Sequence, residues 1–148
     1  MTTPLRLENG VQFEPRQIEA LGLERLLSYA AASGDHNPIH IDPVAARQAG
    51  FPEAIVHGTL LSAFIAEFLA VSAPGTTILS QKLRFLAPIP ASRRLSIGAR
   101  IVKVIGGEHR EHAIVRVMIN TEDGGLAAMA EVELERDRPL DRSAAALP

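Results

Sequence analysis

Residues 59–73 read TLLSAFIAEFLAVSA, and the rest of the chain has to be arranged around the problem of housing them. Leu60, Leu61, Ala63, Phe64, Ile65, Ala66, Phe68 and Leu69 leave almost no polar side on a helix running from Leu60 to Val71. A helix that is apolar nearly all round is enclosed by protein. Glu67 and two serines interrupt the run, which is also too short for a membrane span. The segment therefore predicts a buried helix, closed by Pro74-Gly75.

Downstream the period changes to two. Leu79, Leu83 and Phe85 alternate with Ser80, Lys82 and Arg84. Leu95, Ile97, Ala99 and Ile101 alternate with Ser96, Gly98 and Arg100. Ala113, Val115, Val117 and Ile119 share one face of a third run. Leu126, Ala128, Ala130, Val132 and Leu134 share one face of a fourth, opposite Glu131, Glu133 and Glu135. The Gly106-Gly107 and Gly124-Gly125 pairs sit where hairpins must turn. An antiparallel meander has one face to bury, and the Thr59–Ala73 helix is what it can bury it against. The fold class is α+β, a curved antiparallel sheet wrapped around one hydrophobic helix. Long sheet edges of this kind invite pairing with a second copy, so a dimer is expected.

Upstream, 11–20 reads as a first strand that Pro15 confines to an edge or a bulge. Leu23, Leu26, Leu27 and Ala30 recur at helical spacing up to Ser33-Gly34. Asp42-Pro43 starts another short helix, 43–49, which stops at Gly50. Between them, 35–40 is expected to be no regular helix, because Pro38 pushes Asn37 out of the α region. Residues 1–10 read as loosely held and those from Arg136 onward as a frayed tail. One domain over 1–148 is expected, with its ordered core at about 11–136.

Composition narrows the function classes. The 148 residues are 47% hydrophobic and 22% charged, with a formal charge of −2 and a pI near 6.2. That balance argues against a nucleic-acid footprint, which needs a basic face. The chain has no cysteine, which excludes disulfides, thiolate catalysis and zinc–thiolate sites and fits a reducing cytoplasm. MTTPLRLENG at the N-terminus carries no apolar run of the signal-peptide kind.

The segment that can carry chemistry is Ser33-Gly34-Asp35-His36-Asn37-Pro38-Ile39-His40. Proton transfer needs fixed geometry, and a proline-stiffened loop supplies it. Asp35 and His40, five apart, can converge on one water, one group taking its proton while the other orients it. The same residues also suit a plain turn, since Asp and Asn before proline bond to nearby backbone. A second feature is His57-Gly58 at the start of the buried helix. A helix N-terminus offers unpaired N–H groups and partial positive charge, and glycine admits a ligand close to the backbone. This would suit an oxyanion hole; equally, glycine eases a sharp bend into the helix and His57 packs or caps. Local physics leaves both pairs of readings open.

Taken together, Tyr29 to Thr59, YAAASGDHNPIHIDPVAARQAGFPEAIVHGT, resembles the MaoC-like, (R)-specific enoyl-CoA hydratase family. The signature is an aromatic residue, then Gly-Asp-x-Asn-Pro-aliphatic-His, here Tyr29 and Gly34 to His40, followed by His57-Gly58. Phe85–Pro88 matches a Phe-x-x-Pro pattern in the meander, and the resemblance covers about 11–135. It implies a hot-dog fold, usually dimeric, and reversible addition of water to a trans-2-enoyl thioester giving an (R)-3-hydroxyacyl product. Carried over, Asp35 and His40 activate the water and shuttle its proton to the α-carbon. The Gly58 N–H binds the thioester oxygen, Asn37 shapes the loop, and His57 stands with them at the substrate site. No metal or redox cofactor is implied, and the partner is a coenzyme A or acyl-carrier-protein thioester.

His36 falls at a variable position and takes no role; His109 and His112 are expected to be solvated near a turn. Some relatives carry an assisting serine where Ala66 stands here, with Ser62 one turn earlier. Lys82, Arg84, Arg93 and Arg94 are candidates for the coenzyme's phosphates, or plain edge charges that discourage aggregation. Besides a free-standing hydratase, the pattern admits a carrier-protein dehydratase, a thioester hydrolase and a non-catalytic acyl-thioester-binding subunit. The intact Asp35/His40 motif weighs against the last two.

Overall fold

The computed structural model describes residues 6–137. The chain runs β1 (Gln12–Ile18), α1 (Gly22–Ser33), α2 (Pro38–Ile41), α3 (Pro43–Gln48), α4 (Gly58–Ser72), β2 (Thr77–Phe85), β3 (Leu95–Gly106), β4 (Arg110–Thr121) and β5 (Leu126–Asp137). The strands form one antiparallel sheet in the order β1-β3-β4-β5-β2. α4 presents Leu61, Phe64, Ile65, Phe68 and Leu69 to a core shared with the inner residues of the sheet. This is the sheet-around-helix arrangement of a hot-dog fold. Among the described residues no helix is long and apolar enough to cross a membrane.

The period-two patterns of β3 and β4 are realised as read, and that of β5 from Ala128 onward; Leu126 is only half-buried, because the register of β5 against β4 shifts at Ala127, which is buried in its place. Leu95, Ile97 and Ile101, then Ala113, Val115, Val117 and Ile119, then Ala128, Ala130, Val132 and Leu134 are all buried. β1 is an edge strand whose register shifts between Phe13 and Arg16, at Pro15. Phe13 alone of β1 is buried, with its ring edge-on to Phe68 at 6.4 Å.

β2 departs from its expected alternation. Ile78 pairs with Leu134 and Ser80 with Glu133, so Leu79 is the extra residue of a bulge. The bulge leaves Leu79 46% exposed and passes the inward role to Ile78. Leu83 and Phe85 do face inward, opposite Ala130 and Ala128. Phe85 nonetheless remains 56% exposed because it lies level with the start of α4, at the rim of the core.

Three more expectations change. Residues 6–10 are held: Leu7 is in the core, Gly10 N–H donates to the Ile101 carbonyl, and Asn9 accepts from Val104 N–H. Arg136 and Asp137 continue β5, and Arg136 pairs with Glu111 at 2.8 Å in half-buried surroundings. The remainder of the expected tail, 138–148, lies outside the described residues, as do 1–5. His112 sits in β4 between the Glu133 and Glu135 carboxylates rather than free in solvent.

Phe68 anchors the helix to the sheet at 2% exposure. Phe68→Ala is expected to cost about 3–5 kcal/mol through the cavity it leaves. Val71→Ala, on the exposed side of the same helix, is expected to stay within about 0.5 kcal/mol. Urea unfolding midpoints of the two variants check the contrast.

Candidate active site

The loop after α1 is built by local hydrogen bonds. Gly34 ends α1 at a φ of 78°, the left-handed region that glycine enters without strain. Ser33 Oγ accepts from Asp35 N–H, and Asp35 Oδ1 accepts from Asn37 N–H. One carboxylate oxygen of Asp35 is thus held by the backbone, and the side chain is half-buried. Asn37 is extended (φ −56°, ψ 123°), as Pro38 requires, and its Oδ1 accepts from Ile39 N–H at 3.3 Å. It is an N-cap. The expectation that 35–40 holds no helix is corrected at this point, because Pro38 occupies the first position of α2, where its missing N–H costs nothing. Asp42 caps α3 in the same way, accepting from Val44 N–H at 2.8 Å.

The single turn of α2 buries His40. Its Nδ1 lies 2.8 Å from the Ile55 carbonyl. A carbonyl can only accept, so Nδ1 carries the proton and Nε2 keeps its lone pair, the form a general base needs. Ile39 O accepts from Ile55 N–H in return, so the two segments fix each other.

His57 precedes α4 and is completely buried. Its Nε2–H donates to the Asp35 backbone carbonyl at 3.1 Å, and its ring stacks on His40 with centroids 4.1 Å apart and planes at 25°. Tyr29 meets it edge-on at 4.9 Å and donates its hydroxyl to Thr59 Oγ1. With no exposed surface, His57 does not line the cleft, and it lies behind the His40 ring. Asn37 likewise serves as a cap on the loop and does not line the cleft.

Asp35, His40 and His57 bring a side-chain oxygen and two ring nitrogens within 4.8 Å of one another. One carboxylate and two imidazoles have the donor chemistry of a zinc site. Their arrangement does not suit one, because lone pairs lie in the ring planes and two nearly parallel rings cannot aim them at a single ion. The trio fits proton transfer better than ligation.

His40 and Gly58 open onto a cleft of about 420 Å³ whose walls include Val56, Leu61, Phe85, Leu86 and Ile89. The lining is mainly apolar. Gly58 is the first residue of α4, whose leading N–H groups have no partner within the helix. The Phe85 ring lies directly over it: a Cβ at position 58 would sit 2.7 Å from Phe85 Cζ. A larger residue at 58 would push the half-exposed Phe85 ring aside. Sequence reading placed Gly58 here but missed Phe85 and Tyr29 as partners of the site. Tyr29 heads the motif and Phe85 heads the Phe-x-x-Pro pattern, yet neither spacing reveals which ring rests on which neighbour.

The remaining candidates fall away from the pair. Ser62 donates to Gln81 Oε1 at 3.0 Å, and Ala66 has no hydroxyl to offer. Arg93 and Arg94 both bind Glu122. Lys82 and Arg84 project on the outer face, opposite Glu131 and Met129.

Burial holds the His57 imidazole below its ordinary pKa near 6.5, and the neighbouring His40 adds to this; the Asp35 carbonyl and carboxylate oppose it. The unfolded chain therefore binds the extra proton first. The stability linked to His57 is complete above about pH 6.5 and declines as the pH falls below that value. Chemical denaturation from neutral to mildly acidic pH should show this decline in the wild type and a smaller one in His57→Gln.

Comparison with known proteins agrees with this architecture. The chain matches the family model described as MaoC like domain over residues 4–122. It is 30% identical over 118 residues to the (R)-specific enoyl-CoA hydratase of Aeromonas caviae, spanning 78% of this chain and 87% of that enzyme. It is 38% identical over 74 residues to a mitochondrial 3-hydroxyacyl-[acyl-carrier-protein] dehydratase of Arabidopsis thaliana, an alignment that spans 50% of this chain and only 45% of that enzyme. The solved structure of the A. caviae (R)-hydratase involved in PHA biosynthesis superposes with a TM-score of 0.77 at 27% identity, covering 87% of this chain and 96% of that one. With its motif, its sheet and helix, and a family match across most of its length, this chain belongs to the MaoC-like family.

Proposed function

We propose that this chain reversibly hydrates a trans-2-enoyl thioester of coenzyme A to the (R)-3-hydroxyacyl thioester. The observation that carries the reading is His40, its Nδ1 held by the Ile55 carbonyl, opening onto an apolar cleft beside the start of α4 with an Asp35 carboxylate oxygen within 4.8 Å of its ring. Asp35 and His40 hold one water. His40 Nε2 takes a proton as the water oxygen bonds to the β-carbon. Charge moves onto the thioester oxygen, where the Gly58 N–H and the positive end of the fifteen-residue α4 stabilise it. The α-carbon then receives a proton from the acid–base pair, so the elements of water are added without any other reactant. Dehydration is the same path reversed. The acyl chain would lie along Val56, Leu61 and Ile89, with Phe85 covering the thioester end.

A carrier-protein thioester is the second reading. It is favoured by the similarity to the Arabidopsis carrier-protein dehydratase. Both substrates deliver the acyl group on phosphopantetheine, and rates on a matched pair of substrates separate them. The cytoplasm remains the proposed compartment, on the cysteine-free composition.

A homodimer forming along the β2 edge is part of the proposal. β2 ends the sheet and leaves Leu79, Phe85 and the following Leu86 more than 40% exposed, an apolar edge of the kind that pairs. Light scattering on the eluting protein should give twice the chain mass, and Leu79→Lys should lower it toward the monomer.

Loss of the conjugated enoyl absorbance with crotonyl-CoA tests the chemistry. Asp35→Asn and His40→Ala, if folded, should each lower the rate by about 10²–10⁴-fold. Variants as active as the wild type would remove these residues from the mechanism, and release of free coenzyme A would point to hydrolysis instead.

A further inference from the structure

Asp35 and His40 belong to different local structures, a loop and a separate helical turn. Asn37 links the two along the backbone, donating its N–H to Asp35 Oδ1 and accepting from His40 N–H, but neither bond reaches the His40 ring. Asp35 is held by Ser33 and Asn37, and His40 by Ile55. The side chain that ties the Asp35 segment to the His40 ring itself is His57. It donates to the Asp35 carbonyl at 3.1 Å and lies flat on the His40 ring at 4.1 Å. It is itself wedged by the Tyr29 ring, and Tyr29 is tied to the first turn of α4 through Thr59.

His57 Nδ1 is buried without a hydrogen-bond partner among the described residues. A phenyl ring would fill the same volume and leave no lone pair stranded, so space filling does not account for an imidazole here. The donated N–H does. The charged and titratable groups that face the ring are His40 from α2, Asp35 from the preceding loop and Tyr29 from α1. Protonating Nδ1 would bury a donor without an acceptor and set a cation against the His40 ring.

We infer that His57 is the positioning residue of the acid–base pair: as a neutral, Nε2-protonated imidazole it clamps the Asp35 backbone against the His40 ring and so fixes the separation at which carboxylate and imidazole share a water. This rests on Asp35 and His40 being that pair. It gives the His-Gly dipeptide a divided task, with Gly58 facing the cleft and His57 facing away from it.

Nitrogen-15 NMR of the histidine rings and kinetics of two variants test the inference together. In the intact protein, the His57 ring should keep its proton on Nε2 and should not titrate with an ordinary midpoint between about pH 5 and 8. A ring protonated on Nδ1, or one titrating like a solvated histidine, overturns the clamp. His57→Phe keeps the ring and removes the donor; it should lower kcat by about 10- to 100-fold with KM little changed, as a small misplacement of reacting groups does. His57→Gln restores an N–H near the Nε2 position and should recover most of that loss. Equal kcat in the Phe variant and the wild type, a loss confined to KM, or equal losses in both variants, overturns the positioning role. If the wild type turns over no enoyl thioester, the functional reading fails separately. The His40 ring nitrogens then decide the clamp: their shifts should move in the Phe variant and hold in the Gln variant, and the absence of that difference refutes it. The same comparison applies if kinetics are limited by folding, with circular dichroism identifying which variant is native.

Discussion

The enclosure of α4 is the constraint from which the rest of the molecule follows. A helix carrying Leu61, Phe64, Ile65, Phe68 and Leu69 cannot face water along its length, and the five-stranded sheet supplies the cover. Once the helix axis is fixed in the sheet, its first residue is fixed too. Gly58 comes to the rim, where β2 ends and Phe85 lies across it. The hydrophobic core thus delivers a helix N-terminus, with its unpaired N–H groups, to a defined place at the protein surface.

The Asp35–His40 loop is fastened to that place by backbone carbonyls. Ile55 accepts from His40, and Asp35 accepts from His57, so each imidazole has its tautomer set by a group that cannot titrate or donate. The outcome is asymmetric. His40 is left with a basic nitrogen at the cleft, while His57 is left with one that is sealed in the interior. Two stacked rings of one residue type therefore stand in opposite surroundings, decided by which nitrogen meets a carbonyl.

The rings lie nearly parallel and would serve poorly as joint ligands, but parallel stacking is compatible with one ring steadying the other. Phe85 contributes from the opposite side. Its contact with Gly58 narrows the cleft above the helix start.

Much of this was legible along the chain because it depends on neighbours in sequence. The apolar circumference of α4, the alternation along 95–101, 113–119 and 128–134, the Pro15 bulge and the caps at Gly34 and Asp42 are local patterns with local causes. The Gly-Asp-x-Asn-Pro-x-His motif marked Asp35 and His40 for the same reason. What the sequence could not determine were contacts between distant segments. Leu79 was displaced by a bulge that answers to the register of β5, and Phe85 left the core because α4 begins beside it. Leu7 and Arg136 look like tail residues in sequence and are held by the core and by Glu111. His57 stands next to a cleft-lining glycine yet points inward, since a helix start sends successive side chains in different directions and the Asp35 carbonyl, twenty-two residues earlier, accepts its hydrogen bond. Periodicity and motif set which residues were available; only the closing of the sheet over the helix decided which of them met.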